Sequence, residues 1–321
     1  MKNLNIELRK ETRFALVLYG GISLAIYIYG VANEFFNAVR GRRVYKLLKI
    51  LLDTDIVIDV ISGTSAGGIN GIFLSSAIAN DKEFSSAANL WRKKGGLSDL
   101  MRGVDDEIST YKSLLNSEHY YFPELYEAFK KMTSDENSIS RIDELKSLTE
   151  NIDLFITGTN LEGNFYYKLD DSQNKIEYKD HRSVFILKYR NRKDYTVNQF
   201  EGKDETFLKA ISKLAQLTSC FPFAFSPVNV NDTDEDKLLK YWGNLEGENY
   251  FVDGGVLDNK PFSYTIKAIF TKKADRLVDR HLVFVEPDPK KEEKSVKFAE
   301  PNLLKVLKLS LLTIPQYESI S

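Results

Sequence analysis

The chain has 321 residues, 43% of them hydrophobic, and 44 basic against 46 acidic residues give it a formal charge of −2 at pH 7. This length and composition suffice for one large α/β domain or two ordinary domains, each with a sizeable core. The balanced charge creates no global field that would attract nucleic acid, and no nucleic-acid-binding motif is recognisable. Nucleic acid is therefore not expected as a partner.

The cellular location is predicted from two further features. The single cysteine, Cys220, cannot form an internal disulfide or a zinc cluster, which favours a reducing compartment. The uncharged run 15–32 is long enough to cross a membrane. However, Gly20-Gly21 interrupts this run where a strand-to-helix turn would fall, and the preceding segment mixes acidic and basic residues. We therefore expect a buried start and a cytoplasmic protein, with membrane association left open.

The first elements predict a parallel sheet. Residues 13–19 have the apolar character of a strand covered on both faces, and a helix is predicted from Ile22 to about Arg40. Residues 55–61 form the second predicted buried strand, and 67–80 the second helix. This strand-helix-strand-helix order is typical of an α/β fold with a mainly parallel central sheet.

The later elements are predicted less regularly. Residues 81–150 indicate helices and loops with no clear strand. Residues 151–169 indicate a strand, a glycine-containing turn and a second strand. The remaining predicted elements are a strand at 183–189, a helix within 206–228 that ends at Pro222, and late strands within 250–262 and 281–289. The tail, 290–321, is amphipathic and helical in pattern, and its end without a polar cap suggests that a further region follows.

A candidate nucleophile lies between the second predicted strand and its helix. Gly63-Thr64-Ser65-Ala66-Gly67 fits the G-x-S-x-G nucleophile elbow, which presents a serine hydroxyl above the carboxyl edge of a sheet. Glycines on either side remove Cβ atoms that would collide, and the helix N-terminus offers N–H groups to an oxyanion. The alternative interpretation is a glycine- and serine-rich turn without chemistry.

A serine nucleophile needs a base, and the three histidines fit poorly. His119 and His181 precede the candidate acid Asp253 in polar surroundings, and His281 opens its strand at the edge opposite to ligand sites. Asp253 itself follows apolar residues and precedes two glycines, so its carboxylate is expected at the end of a strand. The alternative for this Asp-Gly pair is a simple hairpin turn. As a base, Asp253 would need burial to raise its pKa.

An oxyanion hole is the third requirement. Gly20-Gly21 follow the first predicted strand, where backbone N–H groups can approach a substrate oxygen without an intervening side chain. A turn that needs positive φ explains these two glycines equally well.

In this order, the three motifs resemble those of patatin-like phospholipases, over about residues 13–289. The resemblance implies a three-layer α/β/α sandwich and a Ser-Asp dyad that hydrolyses acyl esters of lipids without histidine, metal or cofactor. It assigns Ser65 as nucleophile and Asp253 as base. It places the oxyanion hole at the amides of Gly20, Gly21 and Ile22, and the motif glycines at Gly63, Gly67, Gly254 and Gly255.

The first loop departs from this family pattern. The family commonly has G-G-G-x-R/K-G there, whereas this chain has Gly20-Gly21-Ile22-Ser23-Leu24-Ala25. The third glycine, the basic residue and the fourth glycine are absent, so no basic side chain is at hand for an oxyanion. The departure suggests a divergent subgroup in which the domain begins a larger bacterial protein.

The expected activity is a phospholipase A or lysophospholipase reaction through an acyl-enzyme, with phospholipid or another acyl lipid as substrate. The alternatives are an acyltransferase with the same nucleophile and a catalytically silent lipid-binding scaffold. Two basic clusters, Arg40 to Lys49 and Lys188 to Lys193, are interpreted as solvated faces or as peripheral membrane contacts. Phe221, Phe223 and Phe225 are candidates for an acyl pocket, with core packing expected for at least one.

Overall fold

The structure, a computed structural model, describes most of the predicted domain. The described residues are 10–21, 25–85, 88, 90–91, 115, 117–139, 145–146, 149–192 and 194–286. The predicted tail, 290–321, and the predicted oxyanion residue Ile22 lie outside them.

The described residues form eight strands and seven helices. The strands are β1 (Lys10–Leu18), β2 (Thr54–Gly63), β3 (Asn151–Leu169), β4 (Lys175–Asn191), β5 (Thr196–Asn198), β6 (Val228–Val230), β7 (Asn249–Asp253) and β8 (Leu277–Val285). The helices are α1 (Ala25–Val39), α2 (Val44–Leu52), α3 (Ala66–Ala79), α4 (Phe122–Thr133), α5 (Glu205–Ser219), α6 (Asp234–Gly243) and α7 (Phe262–Thr271). A π-helical turn, Ser117–Tyr121, precedes α4, and a 3₁₀ turn, Gly254–Val256, follows β7.

The strands form one sheet with a parallel centre. Its order is β5-β4-β3-β2-β1-β8, and neighbours among β3, β2, β1 and β8 are parallel. Strands β4, β5 and β7 are added antiparallel, and β6 pairs with β7. The expected α/β fold is confirmed, because β1, β2 and β3 are parallel and are joined through helices, as parallel strands require.

Helices cover both faces of the sheet. On one face, α1, α3 and α5 pack over Leu16, Leu18 and Ile61, and every residue of α3 up to Ile78 is buried. On the other face, Ala268 of α7 packs on Ala15 and Val60. Because α3 is enclosed by the sheet and by α1 and α5, its sequence is mostly apolar on every side and includes only small or uncharged polar residues. The loop that leads into α3 is thereby fixed in the core.

Helix α2, which the sequence did not predict, corrects the interpretation of one basic cluster. Lys49 is buried, where its Nζ donates to the carbonyls of Val39 (2.7 Å) and Leu145 (3.1 Å) and contacts the Asp55 carboxylate at 2.8 Å. Because Lys49 faces the interior, most apolar side chains of α2 face solvent. The exposed ones are Val44, Leu47, Leu48, Ile50, Leu51 and Leu52.

Internal ion pairs account for other members of the two basic clusters. Arg40 lies 2.6 Å from the Asp81 carboxylate, and Arg42 pairs with Glu83. Arg190 pairs with the carboxylate of Asp153 in β3. The sequence did not predict these pairings, because the acidic partners come from distant parts of the chain.

Strand β3 replaces the predicted strand-turn-strand. The β3–β4 register jumps from Thr159 opposite Arg182 to Asn164 opposite Asp180, with Gly163 at φ +67° in the bulge between them. A bulge glycine and a turn glycine need the same left-handed conformation, so the sequence does not distinguish them. The turn itself follows Leu169. Beyond the bulge, β3 and β4 continue as a two-stranded extension, 164–180, which we call the aromatic ribbon.

Within the described part of the chain, no helix is both long and apolar enough to cross a bilayer. The uncharged run 15–32 is divided between β1 and α1.

Candidate active site

Ser65 occupies the turn between β2 and α3 in a strained conformation. Its φ of 54° and ψ of −128° lie in a region that residues other than glycine rarely adopt. The turn is held by its neighbours: the Ser65 amide donates to Thr218 Oγ1 at 3.0 Å, and Thr64 Oγ1 donates to the Asp258 carbonyl at 2.8 Å. This is the geometry of a nucleophile elbow.

Three motif glycines are required by close backbone contacts. A Cβ added to Gly67 would lie 2.2 Å from the Leu18 carbonyl oxygen, and one on Gly63 would lie 2.7 Å from the Gly67 carbonyl oxygen. A Cβ on Gly254 would lie 2.3 Å from Thr157 Oγ1. Any side chain at these positions would push the elbow or the Asp253 loop away from the sheet.

Asp253 reaches the elbow because β2 and β7 share one edge of β3. Strand β2 ends with Gly63 opposite Ile156 of β3. Two residues further along that edge, Gly158 pairs with Asp253, the last residue of the antiparallel strand β7. Ser65 also lies two residues beyond Gly63, so the register sets the Ser65 and Asp253 side chains next to each other. The sequence predicted that Asp253 lies at the end of a strand. It did not predict that this strand, β7, runs antiparallel to β3.

The two side chains form a hydrogen bond. Ser65 Oγ donates to Asp253 Oδ2 at 2.8 Å, and both residues are 3% exposed. The other carboxylate oxygen, Oδ1, accepts from the Gly255 amide at 2.7 Å. The Asp253 backbone is fixed as well, because its carbonyl accepts from Thr159 Oγ1 at 2.9 Å. The carboxylate therefore has a single orientation toward the serine hydroxyl.

Burial changes the proton affinity of this carboxylate. Desolvation raises the pKa of Asp253 from 3.8 to about 6, and the hydrogen bonds from the Gly255 amide and the Ser65 hydroxyl partly oppose the rise. The shift is in the direction that a base acting near neutral pH requires.

The loop after β1 lies directly against Ser65. A Cβ on Gly20 would lie 3.0 Å from the Cβ of Ser65 and 2.4 Å from Asn259 Oδ1. The Gly20 amide donates to Asn259 Oδ1 at 3.0 Å, so this amide is engaged within the protein. Of the other predicted oxyanion residues, Gly21 follows in the same loop and Ile22 is outside the described residues. The oxyanion hole stays a prediction.

Comparison with known proteins decides the family. A family model described as "Patatin-like phospholipase" matches residues 16–266, from β1 into α7. The chain belongs to this family. The matched range includes Gly20, Ser65 and Asp253, and membership supports lipid acyl hydrolysis as the class of activity.

One curated relative extends the comparison beyond the family model. The "Uncharacterized membrane protein Rv3479" of Mycobacterium tuberculosis (strain ATCC 25618 / H37Rv) is 27% identical over 312 residues. The alignment covers 87% of this chain and 28% of the relative, so the chain spans about a quarter of that protein's length.

Two residues of this patatin-like site were not found by sequence reasoning. Asn259 accepts a hydrogen bond from the Gly20 amide, and Thr218 accepts one from the Ser65 amide. Neither residue has a side chain or a place in the sequence that is typical of a catalytic group. Asn259 lies six residues after Asp253, and this nearness in the chain to the candidate base was the available signal for it. Thr218 lies on α5 and contacts the elbow only through the tertiary fold.

The aromatic loop after α5 divides between core and surface. Phe225 is buried and stacks on Tyr121 with ring centroids 4.7 Å apart, as expected for at least one of the three phenylalanines. Phe223 is 70% exposed, at a φ of 69°. Burial raises the pKa of Tyr121, and the negative charge of Asp253 adds to the rise, so Tyr121 lies close to Asp253.

The three histidines of this patatin-like domain lie elsewhere. His281 is in the middle of β8 opposite Phe14, four residues before the carboxyl ends of β1 and β8. His181 Nδ1 hydrogen-bonds to the Asn160 carbonyl at the bulge, 2.7 Å away, and His119 is in the π-helical turn. The hydroxyl of Ser65 bonds to a carboxylate instead.

Proposed function

We propose that the protein is a serine lipid acyl hydrolase that uses Ser65 and Asp253 as a catalytic dyad through an acyl-enzyme. The observation that carries the proposal is the 2.8 Å hydrogen bond from Ser65 Oγ to Asp253 Oδ2, made by a serine in the strained elbow conformation. If Ser65 and Asp253 lay in two turns without a catalytic role, nothing would require their side chains to meet, because the two residues are 188 positions apart in the chain.

In the acylation step, Ser65 Oγ attacks the carbonyl carbon of the ester while its proton passes to Asp253 Oδ2. The tetrahedral intermediate collapses as the bond to the leaving alcohol breaks, and Asp253 returns the proton to that alcohol oxygen. In deacylation, a water oxygen attacks the acyl-enzyme, and Asp253 accepts a proton from that water. The bond to Ser65 Oγ then breaks, Oγ takes the proton, and a fatty acid is released.

The position of Asp253 supports its role as base. With a pKa of about 6 the carboxylate is ionised at pH 7, yet it binds a proton more tightly than an ordinary aspartate does. The bond from the Gly255 amide leaves Oδ2 directed at Ser65. Asp253 therefore needs no histidine between it and the hydroxyl.

Backbone amides are proposed to stabilise the oxyanion. The amide of Ala66 begins α3 directly after the nucleophile, at the positive end of the helix dipole. The amide of Gly21 is proposed for the second side of the hole; Ile22, which the sequence also predicted for it, lies outside the described residues. The Gly20 amide is held by Asn259, so the amide of Ala66 replaces it in this proposal.

The substrate follows from the family. We propose a phospholipid or lysophospholipid, hydrolysed by a protein that contacts the membrane peripherally. The cytoplasmic location also remains a proposal, supported by the lone buried Cys220.

The experiment is release of fatty acid from phospholipid liposomes, together with labelling by a fluorophosphonate probe that reacts with activated serines. We expect Ser65→Ala to abolish both signals and Asp253→Asn to lower the rate at least about 1,000-fold. The matched control is Ser75→Ala in α3, since the buried Ser75 hydroxyl has no hydrogen-bond partner among the described residues. Retained hydrolysis in Ser65→Ala would refute the mechanism, and acyl products formed with an added alcohol acceptor would identify a transferase.

A further inference from the structure

The aromatic ribbon extends past the edge of the sheet that carries the dyad. Strand β2 ends opposite Ile156, and Asp253 lies opposite Gly158. Strand β3 continues in the same direction to Leu169, and from Asn164 onward it pairs only with β4 within the described residues. The six paired positions of the ribbon span about 20 Å at the usual rise of a strand. It therefore projects on the same side of the domain as Ser65.

Both faces of the ribbon carry exposed apolar side chains. Alternation along β3 puts Phe165, Tyr167 and Leu169 on one face, with exposures of 60%, 54% and 64%. The pairing of Tyr166 with Tyr178 puts these two rings on the other face, where they stack at 5.6 Å. Isolated two-stranded ribbons are marginally stable in water, and large apolar side chains on both faces add an exposed surface that calls for a partner.

The lysines of the ribbon lie beside its rings, and its net charge is small. Residues 164–180 contain three lysines and four acidic residues, a formal charge of −1. Lys175 Nζ lies 3.5 Å from the ring centroid of Tyr167, Lys168 Nζ 5.1 Å from that of Tyr178, and Lys179 Nζ 5.3 Å from that of Phe165. Tyrosine and lysine are the side chains that combine an apolar body with a polar tip, as the boundary of a bilayer demands.

We infer that the aromatic ribbon inserts into the headgroup layer of a phospholipid surface and so presents Ser65 to that surface. The inference rests on the proposed function. A flat protein partner would cover one face of the ribbon, whereas a fluid headgroup layer surrounds both. The unpaired outer edges of the two strands keep the ribbon out of the hydrocarbon, where backbone groups cannot be left without partners. The small net charge of −1 fits a zwitterionic lipid surface better than an anionic one.

The other large apolar surface, on α2, serves as a control. Helix α2 ends one residue before β2 begins, at the sheet edge opposite to Ser65. A membrane bound there would face away from the dyad. The exposed leucines of α2 therefore match the ribbon in apolar character but not in position.

The test measures partition of the full chain onto phosphatidylcholine vesicles by sedimentation, in a Ser65→Ala background that leaves the lipid intact. Ribbon variant Phe165→Thr/Tyr167→Thr/Leu169→Thr is expected to lower the partition coefficient at least about tenfold. The matched variant Leu47→Gln/Leu51→Gln/Leu52→Gln in α2 should leave it unchanged. A separate Tyr167→Trp variant should shift its emission to the blue when vesicles are added.

The outcomes separate this inference from the proposed function. With Ser65 intact, the ribbon variant should hydrolyse a soluble short-chain ester within about twofold of the wild-type rate, because the dyad is unaltered. The inference is wrong if the ribbon variant keeps its rate of ester hydrolysis and still partitions onto vesicles like the wild type, or if Tyr167→Trp shows no blue shift. Neither result would contradict the proposed hydrolase activity. If the ribbon variant instead changes only the oligomeric state in solution, the occupant is a second copy and the inference is likewise overturned.

Discussion

The amide of Gly20 donates to Asn259 Oδ1 at 3.0 Å, which ties the loop after β1 to the segment that follows Asp253. The same carboxamide oxygen would lie 3.1 Å from a Cβ on Gly255, so Asn259 lies between the two loops that flank Ser65. One side chain thus sets the distance between the proposed oxyanion loop and the proposed base.

Asn259→Ala is expected to lower kcat about 10- to 100-fold with little change in KM, because the Gly20 loop loses its anchor while the dyad remains. Steady-state hydrolysis of a soluble ester measures kcat and KM separately. Asn259→Asp keeps an acceptor for the Gly20 amide and should restore most of the rate at pH 8. Its added negative charge near Asp253 should move the pH midpoint upward. Equal losses in both variants with an unchanged midpoint would contradict a positioning role.

The rate of ester hydrolysis should depend on the ionisation of Asp253. Because the proton must leave the carboxylate before it can act as base, kcat/KM is expected to rise with pH around a midpoint of about 6 and then level off. A series of assays from pH 4.5 to about pH 8 measures this midpoint. A midpoint near the ordinary value of 3.8 would show that the carboxylate is not desolvated in the working enzyme.

Asp253→Asn should stabilise the protein while it removes activity. Between the ordinary pKa of 3.8 and the native pKa of about 6, the folded state binds more protons than the unfolded state. The free energy of unfolding of the wild type therefore falls as pH rises through this window. The variant lacks the buried charge, so at pH 8 it should be more stable by up to about 3 kcal/mol. Denaturant unfolding at several pH values checks whether the difference disappears below about pH 4.

Gly67→Ala is expected to lower the free energy of unfolding by more than about 2 kcal/mol, because the new methyl group would meet the Leu18 carbonyl at 2.2 Å. The matched control is Gly30→Ala in α1, where an added Cβ has no atom within 4 Å. Helix propensity predicts that this control gains about 0.5 to 1 kcal/mol. Urea unfolding of the two variants measures both effects, and similar values for them would refute the steric argument.

Local patterns were sufficient to predict the strands, helices and chemical groups nearest the site. The apolar runs that become β1, β2 and β7 end at glycines. The glycines around Ser65 and the two glycines after Asp253 marked these residues as side chains at the ends of strands. These signals are contained in about ten consecutive residues. The fold class and the dyad could therefore be proposed from the sequence.

What could not be predicted depends on residues far apart in the chain. The direction of β7 is set by pairing with Gly158, and the inward turn of Lys49 is set by acceptors on α1 and β2 and at Leu145. A lysine among leucines indicates a solvated charge until a buried carboxylate is known to meet it. Gly163 likewise gave no sign of whether it belonged to a turn or to a bulge.

Because β2 and β7 pair with the same edge of β3, the candidate site is complete only when both strands are in place. Ser65 emerges in the first quarter of the chain and Asp253 in the last, and they meet only after β3 has paired with both β2 and β7. A nascent or truncated chain that lacks β7 has a serine without its carboxylate. Lipid hydrolysis by the proposed dyad would therefore be withheld until synthesis and folding of the domain are nearly complete.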